Sequence, residues 1–289
     1  MPTWKNASQQ YAPMHGVVGR AGSASAFELL RWAPSEESAR FVDHFWSVAW
    51  DRHEAGPFKS TVITFPAMHL TREWGDDVVR HGHRLPSTLL HGVVPEVFEV
   101  TITGRGSVVG ARFKPGGFTA RFGGDAAAMT GRVVSVGDEL LCASVNFGED
   151  VTEIRHGMDS AIGAMTGEVD PTYRALMTLV DRMRDDASLH RVEQVMALSP
   201  WSTRTTQRVF RRYVGVTVKW VLCRYRLQQA AFEIETVPGV DFADLAVRLG
   251  WYDQAHFIND FRSMLGRTPG EYAAAHGDPS GRGACRDQV

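Results

Sequence analysis

Two segments near the C-terminal end of the sequence repeat one pattern. They are STRTTQRVFRRYVGVT (202–217) and DQAHFINDFRSMLGRT (253–268). At matching positions the two segments carry a residue that caps helices, a phenylalanine, a glycine and a threonine: Ser202 and Asp253, Phe210 and Phe261, Gly215 and Gly266, Thr217 and Thr268. Each segment follows a short amphipathic stretch and a tight turn. The pattern predicts helix, turn, helix, twice over.

The second helix of each repeat has one apolar and one polar side. At about 100° per residue, the side that faces inward carries Thr206, Val209, Phe210 and Tyr213 in the first repeat, and Phe257, Ile258 and Phe261 in the second. The outward side carries Arg204, Gln207, Arg208 and Arg211 in the first repeat, and Ala255, His256, Asn259 and Arg262 in the second, with Gln254 in the exposed first turn. Arginine, glutamine and asparagine are the residue types that read base edges. The pattern therefore favours DNA binding over ordinary solvation.

The segment between the repeats, residues 218–235, predicts a helix about 27 Å long. A strut of this length can hold two recognition helices about one DNA turn, ~34 Å, apart. One copy of the chain can then occupy two successive major grooves.

The charge distribution points the same way. The whole chain has a net charge of −2, but the stretch from Pro200 to Gln228 holds seven basic residues and no acidic one. They are Arg204, Arg208, Arg211, Arg212, Lys219, Arg224 and Arg226. Such a local basic stretch indicates a surface that faces a polyanion, and a solvated helical face is the alternative.

Residues 170–276 closely resemble the AraC/XylS-type DNA-binding domain, most clearly in LAVRLGWYDQAHFINDFRSMLGRTPGEY and in STRTTQRVFRRYVGVT. The resemblance implies base contacts from Thr203, Arg204, Gln207, Arg208, Gln254, Ala255, His256 and Asn259. It implies phosphate contacts from Ser202, Arg211, Arg212, Asp253 and Arg262. The turn LSPW (198–201) departs from the family, which often has a glycine-like residue there, so Pro200 puts the register of the first helix in question.

The first 165 residues predict short strands separated by turns. Residues 41–50, 60–74, 96–104 and 107–113 are rich in Val, Ile, Thr and aromatic residues. Short helices are expected within 114–124 and over 149–165. The fold class is therefore α+β, with a β-rich, barrel- or sandwich-like N-terminal domain (1–168), an all-α domain of two helix-turn-helix units and a linker helix (169–276), and a disordered tail (277–289).

The N-terminal part resembles a β-rich domain found ahead of many such regulators, in PAMHLTREWG, VVGARFKPGGF and Phe45–Trp46. That resemblance implies effector sensing or dimerisation. Six aromatic residues either fill the barrel or line a pocket for a small apolar or aromatic effector. They are Phe41, Phe45, Trp46, Trp50, Phe65 and Trp74. We assign Phe45, Trp46, Trp50, Phe65 and Trp74 to that pocket.

Other chemistry is weakly supported. His81 and His83 would share one face of a strand and, with His91, suggest a metal, but no glutamate follows at the spacing that a cupin-type site needs. Glu73, Asp76 and Asp77 lack an accompanying nucleophile, and residues 123–131 lack the lysine of a phosphate loop. We therefore predict no enzyme, no metal and no cofactor.

The sequence favours a cytoplasmic location. It has three scattered cysteines (Cys142, Cys223, Cys285), no apolar run long enough for a membrane span and no pattern of a secretory leader in residues 1–18. The sequence thus predicts a bacterial transcription regulator. Its expected partners are double-stranded promoter DNA, the transcription machinery, a small effector and a second copy of the chain. The alternative is an effector-independent regulator whose N-terminal domain only dimerises or binds a protein.

Overall fold

The computed structural model describes residues 17–18, 26–62, 64–137, 150–164 and 168–276. The predictions that concern residues 1–16, Cys142, Cys285 and the tail 277–289 lie outside the described residues.

The N-terminal part is β-rich, as predicted. Its strands are β1 (Val17–Val18), β2 (Glu28–Trp32), β3 (Val42–Asp51), β4 (Phe58–Val62), β5 (His69–Gly75), β6 (Val79–Arg80), β7 (His83–Arg84), β8 (Ser87–His91), β9 (Phe98–Ile102), β10 (Arg105–Phe113) and β11 (Val133–Ser135). The run predicted over 60–74 divides into β4 and β5. Short 3-10 helices lie at Ser38–Arg40 and Ala126–Ala128.

The strands form two larger antiparallel sheets and a small hairpin. One sheet has the order β11-β8-β5-β10-β3-β2 and the other β1-β4-β9, while β6 pairs with β7. The six-stranded sheet separates two environments. On one face it packs against helices through Phe45, Leu70 and Val109, and on the other it faces the three-stranded sheet across a cavity.

Apart from β11 and the 3-10 helix at Ala126–Ala128, the regular elements that follow β10 in the described residues are α-helices. The helices are α1 (Gly117–Phe122), α2 (Val151–Gly163), α3 (Pro171–Asp185), α4 (Val192–Leu198), α5 (Thr203–Tyr213), α6 (Val218–Thr236), α7 (Phe242–Arg248), α8 (Gln254–Leu265) and α9 (Pro269–His276). The predicted double helix-turn-helix is confirmed, with α4–α5 as the first unit, α7–α8 as the second and α6 as the linker helix.

The structure explains why the repeat carries its particular residues. Ser202 accepts a hydrogen bond from the Thr205 N–H at the start of α5, and Asp253 accepts one from the His256 N–H at the start of α8. Gly215 and Gly266, just past the ends of the two helices, have φ of +90° and +74°. Glycine adopts this left-handed backbone without steric cost, so each recognition helix ends there.

Two hydrophobic cores hold the helical part together. The larger one joins the helix-facing side of the six-stranded sheet to α2, α3, the first unit and the first half of α6. The smaller one joins the second half of α6 to α7, α8 and α9, around Phe257 and Phe261. None of the helices in the described part of the chain is long and apolar enough to cross a membrane.

Candidate functional site

The outer face of α5 presents every side chain that was predicted to contact DNA from the first unit. Those residues, all exposed, are Ser202, Thr203, Arg204, Gln207, Arg208, Arg211 and Arg212. The opposite side of the helix, with Val209 and Phe210, is buried. Within the described residues no acidic side chain lies within ion-pair distance of Arg204, Arg208 or Arg211, so these cations face solvent.

The outer face of α8 presents the second set in the same way. Its exposed members are Asp253, Gln254, Ala255, His256, Asn259 and Arg262. His256 Nε2 lies 3.4 Å from Asp260 Oδ2, so a base contact by this imidazole would compete with a contact within the helix. The Asp253 side chain is an anion that caps the helix. A phosphate contact at this residue is therefore restricted to its backbone N–H.

The turn between α4 and α5, in the first helix-turn-helix unit, contains no glycine. Ser199 Oγ lies 2.7 Å from Thr206 Oγ1 and accepts a hydrogen bond from the Trp201 N–H, which ties the turn to α5. In the second unit the matching turn uses Gly250 at φ +81°, packed against His190. Pro200 does not displace α5, because Ser202 caps it at the position equivalent to Asp253.

The prediction that the whole basic stretch faces a polyanion is wrong at two positions. Arg224 is fully buried on α6, and its Nη1 donates to the Met264 carbonyl oxygen at 3.3 Å. Arg226 is half-buried, donates to the His190 carbonyl oxygen at 2.7 Å and stacks on Trp251. The linker helix lies between two packed regions, so Arg224 and Arg226 make contacts inside the protein.

A cavity of about 220 Å³ lies between the two sheets. Its apolar walls come from both sheets: Phe27, Leu29, Trp46, Val48, Trp50, Val62, Phe65, Val94, Phe98, Val100, Ile102 and Val108. Gly106 and Gly110 of β10 stand opposite Trp50 and Trp46 of β3 in the strand register. A Cβ at either glycine would come within 3 Å of the facing indole, so the glycines make room for both rings.

Of the five residues assigned to an aromatic pocket, three lie at the cavity and two lie elsewhere. Trp46, Trp50 and Phe65 line the cavity. Phe45 and Trp74 do not, because successive side chains of a strand point to opposite faces of the sheet. Phe45 is fully buried in the helix-facing core, as is Phe41, and Trp74 packs against that core.

One end of the cavity holds a buried polar cluster. Glu73 Oε1 lies 3.1 Å from His91 Nε2 and accepts a hydrogen bond of 2.8 Å from the Thr71 hydroxyl, while Glu73 Oε2 lies 4.0 Å from His81 Nε2. Burial alone would raise the pKa of the Glu73 carboxyl, but His91, His81 and Thr71 lower it to about 2. The cluster therefore keeps an ionised carboxylate in an enclosed place.

The expectation that His81 and His83 share a face of one strand is wrong. His81 lies in the turn between β6 and β7 and points into the cavity, whereas His83 lies on β7 with its Nε2 3.2 Å from the Val133 carbonyl oxygen. The carboxylate that the sequence pattern lacked after the histidines comes from before them, as Glu73.

The other end of the cavity is cationic. Arg31 and Arg112 both line it, and Arg112 Nε donates to Asp43 Oδ2 at 3.1 Å. Burial, together with the charge of Arg112, lowers the pKa of Arg31 to about 10. Burial also lowers the pKa of His69 and of His44, so both line this end as neutral imidazoles near neutral pH.

One side chain connects the cavity to the second recognition helix. Arg224 Nη2 donates to Thr64 Oγ1, and Thr64 in turn donates to the Val94 carbonyl oxygen at 3.0 Å. Thr64 and Val94 both line the cavity. Since the same guanidinium donates to Met264, at the end of α8, it bridges the cavity wall and the second helix-turn-helix unit.

The sequence reasoning missed Glu73 as a partner of the histidines, the cavity arginines Arg31 and Arg112, and the Arg224 bridge. Strand alternation could have found some of them. His69, Thr71 and Glu73 alternate along β5, as His44, Trp46 and Val48 do along β3, and both sets line the cavity. Nothing local in the sequence indicates the Arg224 contacts.

The chain is similar to two described families. Residues 199–275 match a family described as a helix-turn-helix domain, and residues 30–135 match a domain of unknown function, DUF6597. No curated protein is significantly similar to the chain in sequence.

Among solved structures, the xylose-binding transcription activator xylR is 18% identical over 40% of this chain and 30% of its own, with a TM-score of 0.32. ToxT from Vibrio cholerae is 9% identical over 87% of this chain and 98% of its own, with a TM-score of 0.38. ToxT bound to (E)-4-(8-methylnaphthalen-1-yl)but-3-enoic acid is 10% identical over 86% and 99%, with a TM-score of 0.38. These scores are too low to support an argument about ligands.

The family match and the two exposed recognition helices fall on the same residues. The chain carries an AraC-type helix-turn-helix domain and is, by that domain, a DNA-binding regulator of transcription.

Proposed function

We propose that one copy of the chain binds promoter DNA with α5 and α8 in two successive major grooves, and that the N-terminal domain senses a small apolar or aromatic effector in the cavity between its sheets. The base contacts come from Thr203, Arg204, Gln207 and Arg208 on α5 and from Gln254, Ala255, His256 and Asn259 on α8. The phosphate contacts come from Ser202, Arg211, Arg212, Asp253 and Arg262.

One observation carries the DNA-binding part. Two helices expose matching polar faces, and a helix of 19 residues, about 28 Å long, joins their units. That length is close to the ~34 Å between successive major grooves on one side of a duplex. Arg208 on α5 and Asn259 on α8 are suited to guanine and adenine, respectively.

The cavity supports the sensing part. It is enclosed mainly by apolar side chains, with a few charged groups at its two ends, as small-molecule sites usually are. Arg224 supplies a route for coupling, because a ligand that moves Thr64 also moves a hydrogen-bond partner of the linker helix. Sensing requires that the protein have two arrangements of the Arg224–Thr64 contact and that the ligand bind the protein with different affinity in each.

The DNA-binding proposal is tested by selecting bound sequences from a random duplex pool with the full chain at about 150 mM salt. We expect two short blocks about 10–11 base pairs apart. Enrichment of one block only would overturn the two-groove arrangement. A variant with Arg182→Ala, an exposed arginine on α3 outside both recognition helices, is the matched control and should select the same sequences.

The sensing proposal is tested by thermal unfolding of the full chain with a panel of small aromatic and aliphatic compounds. A ligand of the cavity should raise the unfolding temperature, and Gly110→Ala, which pushes Trp46 into the cavity, should abolish the shift. Gly270→Ala, where a Cβ meets nothing within 4 Å, is the control. If no compound raises the temperature and sedimentation shows a dimer, the N-terminal domain is a dimerisation module.

A further inference from the structure

Three elements of the N-terminal domain bring together three side chains of types that can ligate a metal ion. Glu73 comes from β5, His91 from β8 and His81 from the turn between β6 and β7. One donor atom from each residue lies within 4.8 Å of the other two. Glu73 and His91 are buried and His81 is mostly buried, so the three groups face one another in an enclosed space at the end of the cavity.

The backbone at His81 is held in an unfavourable conformation. His81 has φ of +51°, and it is the one residue other than glycine with a positive φ in the described part of the chain. A left-handed conformation is sterically unfavourable for a residue with a side chain, and such residues cluster where the side chain has a function. Here the conformation turns the imidazole toward Glu73 and His91.

The charges around the set suit a cation. Arg80 Nη1 lies 3.3 Å from Glu73 Oε2, but Arg80 Nη2 also lies 3.4 Å from Asp77 Oδ2, and its guanidinium rests on the Trp50 ring. Two carboxylates and one guanidinium leave one net negative charge beside two imidazoles. Glu73 Oε1, on the side of His91, is oriented by the Thr71 hydroxyl in the way that outer partners orient metal ligands.

We propose that Glu73, His81 and His91 bind one divalent transition-metal ion of the zinc class, with a coordination position open to the apolar cavity. Two histidines and one carboxylate are a common ligand set for such ions when a position stays open. His83 is outside the set, because its Nε2 faces the Val133 carbonyl oxygen. The site goes beyond the proposed function and does not require that the cavity bind an effector.

The test uses the full chain, stripped with a chelator and titrated with ZnCl₂ by calorimetry and with CoCl₂ by visible absorption. We expect one equivalent of either ion to bind and cobalt to give the intense visible bands of a low-coordinate site. Removal of a ligand should weaken binding at least about 10-fold. His83→Ala, two residues from His81, is the matched control and should bind zinc as the unmodified chain does.

The ligand variants are chosen to keep the fold. Glu73→Gln preserves shape, and His81→Asn keeps a residue that tolerates the left-handed backbone while shortening the side chain. Their unfolding temperatures without metal show whether they are folded. The proposal is overturned if the stripped chain binds neither ion, if folded Glu73→Gln and His81→Asn bind zinc undiminished, or if His83→Ala loses binding as they do.

Discussion

The two helix-turn-helix units repeat one pattern, but the protein holds them in different ways. The first unit is joined to the N-terminal domain: Thr119 Oγ1 donates to the Tyr213 carbonyl oxygen at 3.2 Å and Thr130 Oγ1 to that of Gly215 at 2.7 Å. The buried side chains of α5 belong to the same core as the six-stranded sheet. The second unit has a core of its own with the end of α6.

The difference indicates which unit is held less tightly by the N-terminal domain. Displacing α5 from the N-terminal domain would open the large core. Displacing the second unit together with the end of α6 would leave the large core intact and would break fewer contacts, among them those of Arg224 and the packing of Gly250 against His190. Regions with few cross-contacts move at low cost in free energy. We therefore expect the first unit to serve as the fixed reader and the second as the reader that an effector repositions.

The largest expected effect is on stability and tests whether the two hydrophobic cores unfold independently. Phe210→Ala and Phe261→Ala each remove a fully buried ring and should cost about 3–5 kcal/mol of unfolding free energy. Phe210→Ala should lower the unfolding temperature of the N-terminal domain and first unit together. Phe261→Ala should instead produce a separate early transition of the second unit in scanning calorimetry. Tyr252→Ala, at a side chain that is 90% exposed, is the control. Equal shifts of a single transition in both variants would contradict the comparison.

A smaller effect assigns each unit its own DNA block. Arg208→Ala and Asn259→Ala should each cost about 1–3 kcal/mol of binding free energy and relax preference at one base pair. The relaxed position should lie in the first unit's block for Arg208→Ala and in the second unit's block for Asn259→Ala. Sequence selection with each variant measures this. A uniform loss of affinity across all sequences would mean that the residue contacts phosphate.

A third variant tests how the first unit is fixed. Thr130→Val removes the hydroxyl that donates to Gly215 and should cost about 1 kcal/mol of unfolding free energy. Since that bond positions the end of α5, the loss of specificity should be confined to the first block. Thr178→Val, which removes a hydroxyl that bonds only within α3, is the matched control. Loosening of the second block alone would reverse the roles of the two units.

The smallest expected effect is on the salt dependence of DNA binding. Arg211→Ala and Arg262→Ala should each weaken binding to all sequences alike and reduce the slope of log affinity against log salt by about 1. Fluorescence anisotropy across a salt series measures the slope. An unchanged slope in either variant would remove that arginine from the phosphate contacts and leave its unit with fewer anchors.

The features that the sequence predicted correctly are those that depend on interactions between residues close together in the chain. The caps Ser202 and Asp253, and the glycines that follow each recognition helix, act within a few residues of their own position. Their pattern therefore gave the two units and the linker helix nearly to the residue. The alternation of apolar and β-branched residues likewise gave most of the strands, and the resemblance to the AraC/XylS type gave the same architecture.

What the sequence did not predict depends on contacts between distant segments. Phe45 and Trp46 are neighbours in sequence, yet only the second faces the cavity, because the pairing of β3 with β10 fixes which face is which. Glu73 meets His91 through the pairing of β5 with β8. Arg224 looked like part of a basic surface, and only the packing of α6 between two cores shows that it is internal.

The linker helix also limits how the spacing of the DNA blocks can change. A helix turns by about 100° and advances about 1.5 Å per residue. A single residue inserted into α6 would thus leave the distance between the readers almost unchanged but rotate one around the other by more than a quarter turn. An insertion of seven residues restores the angle between the readers to within about 20°. It also separates them by about 10 Å more, or roughly three base pairs of duplex, and over those base pairs the major groove rotates away from the face that the second reader meets. Divergence in this protein is therefore expected to alter which bases are recognised far more readily than the distance between the two recognised blocks.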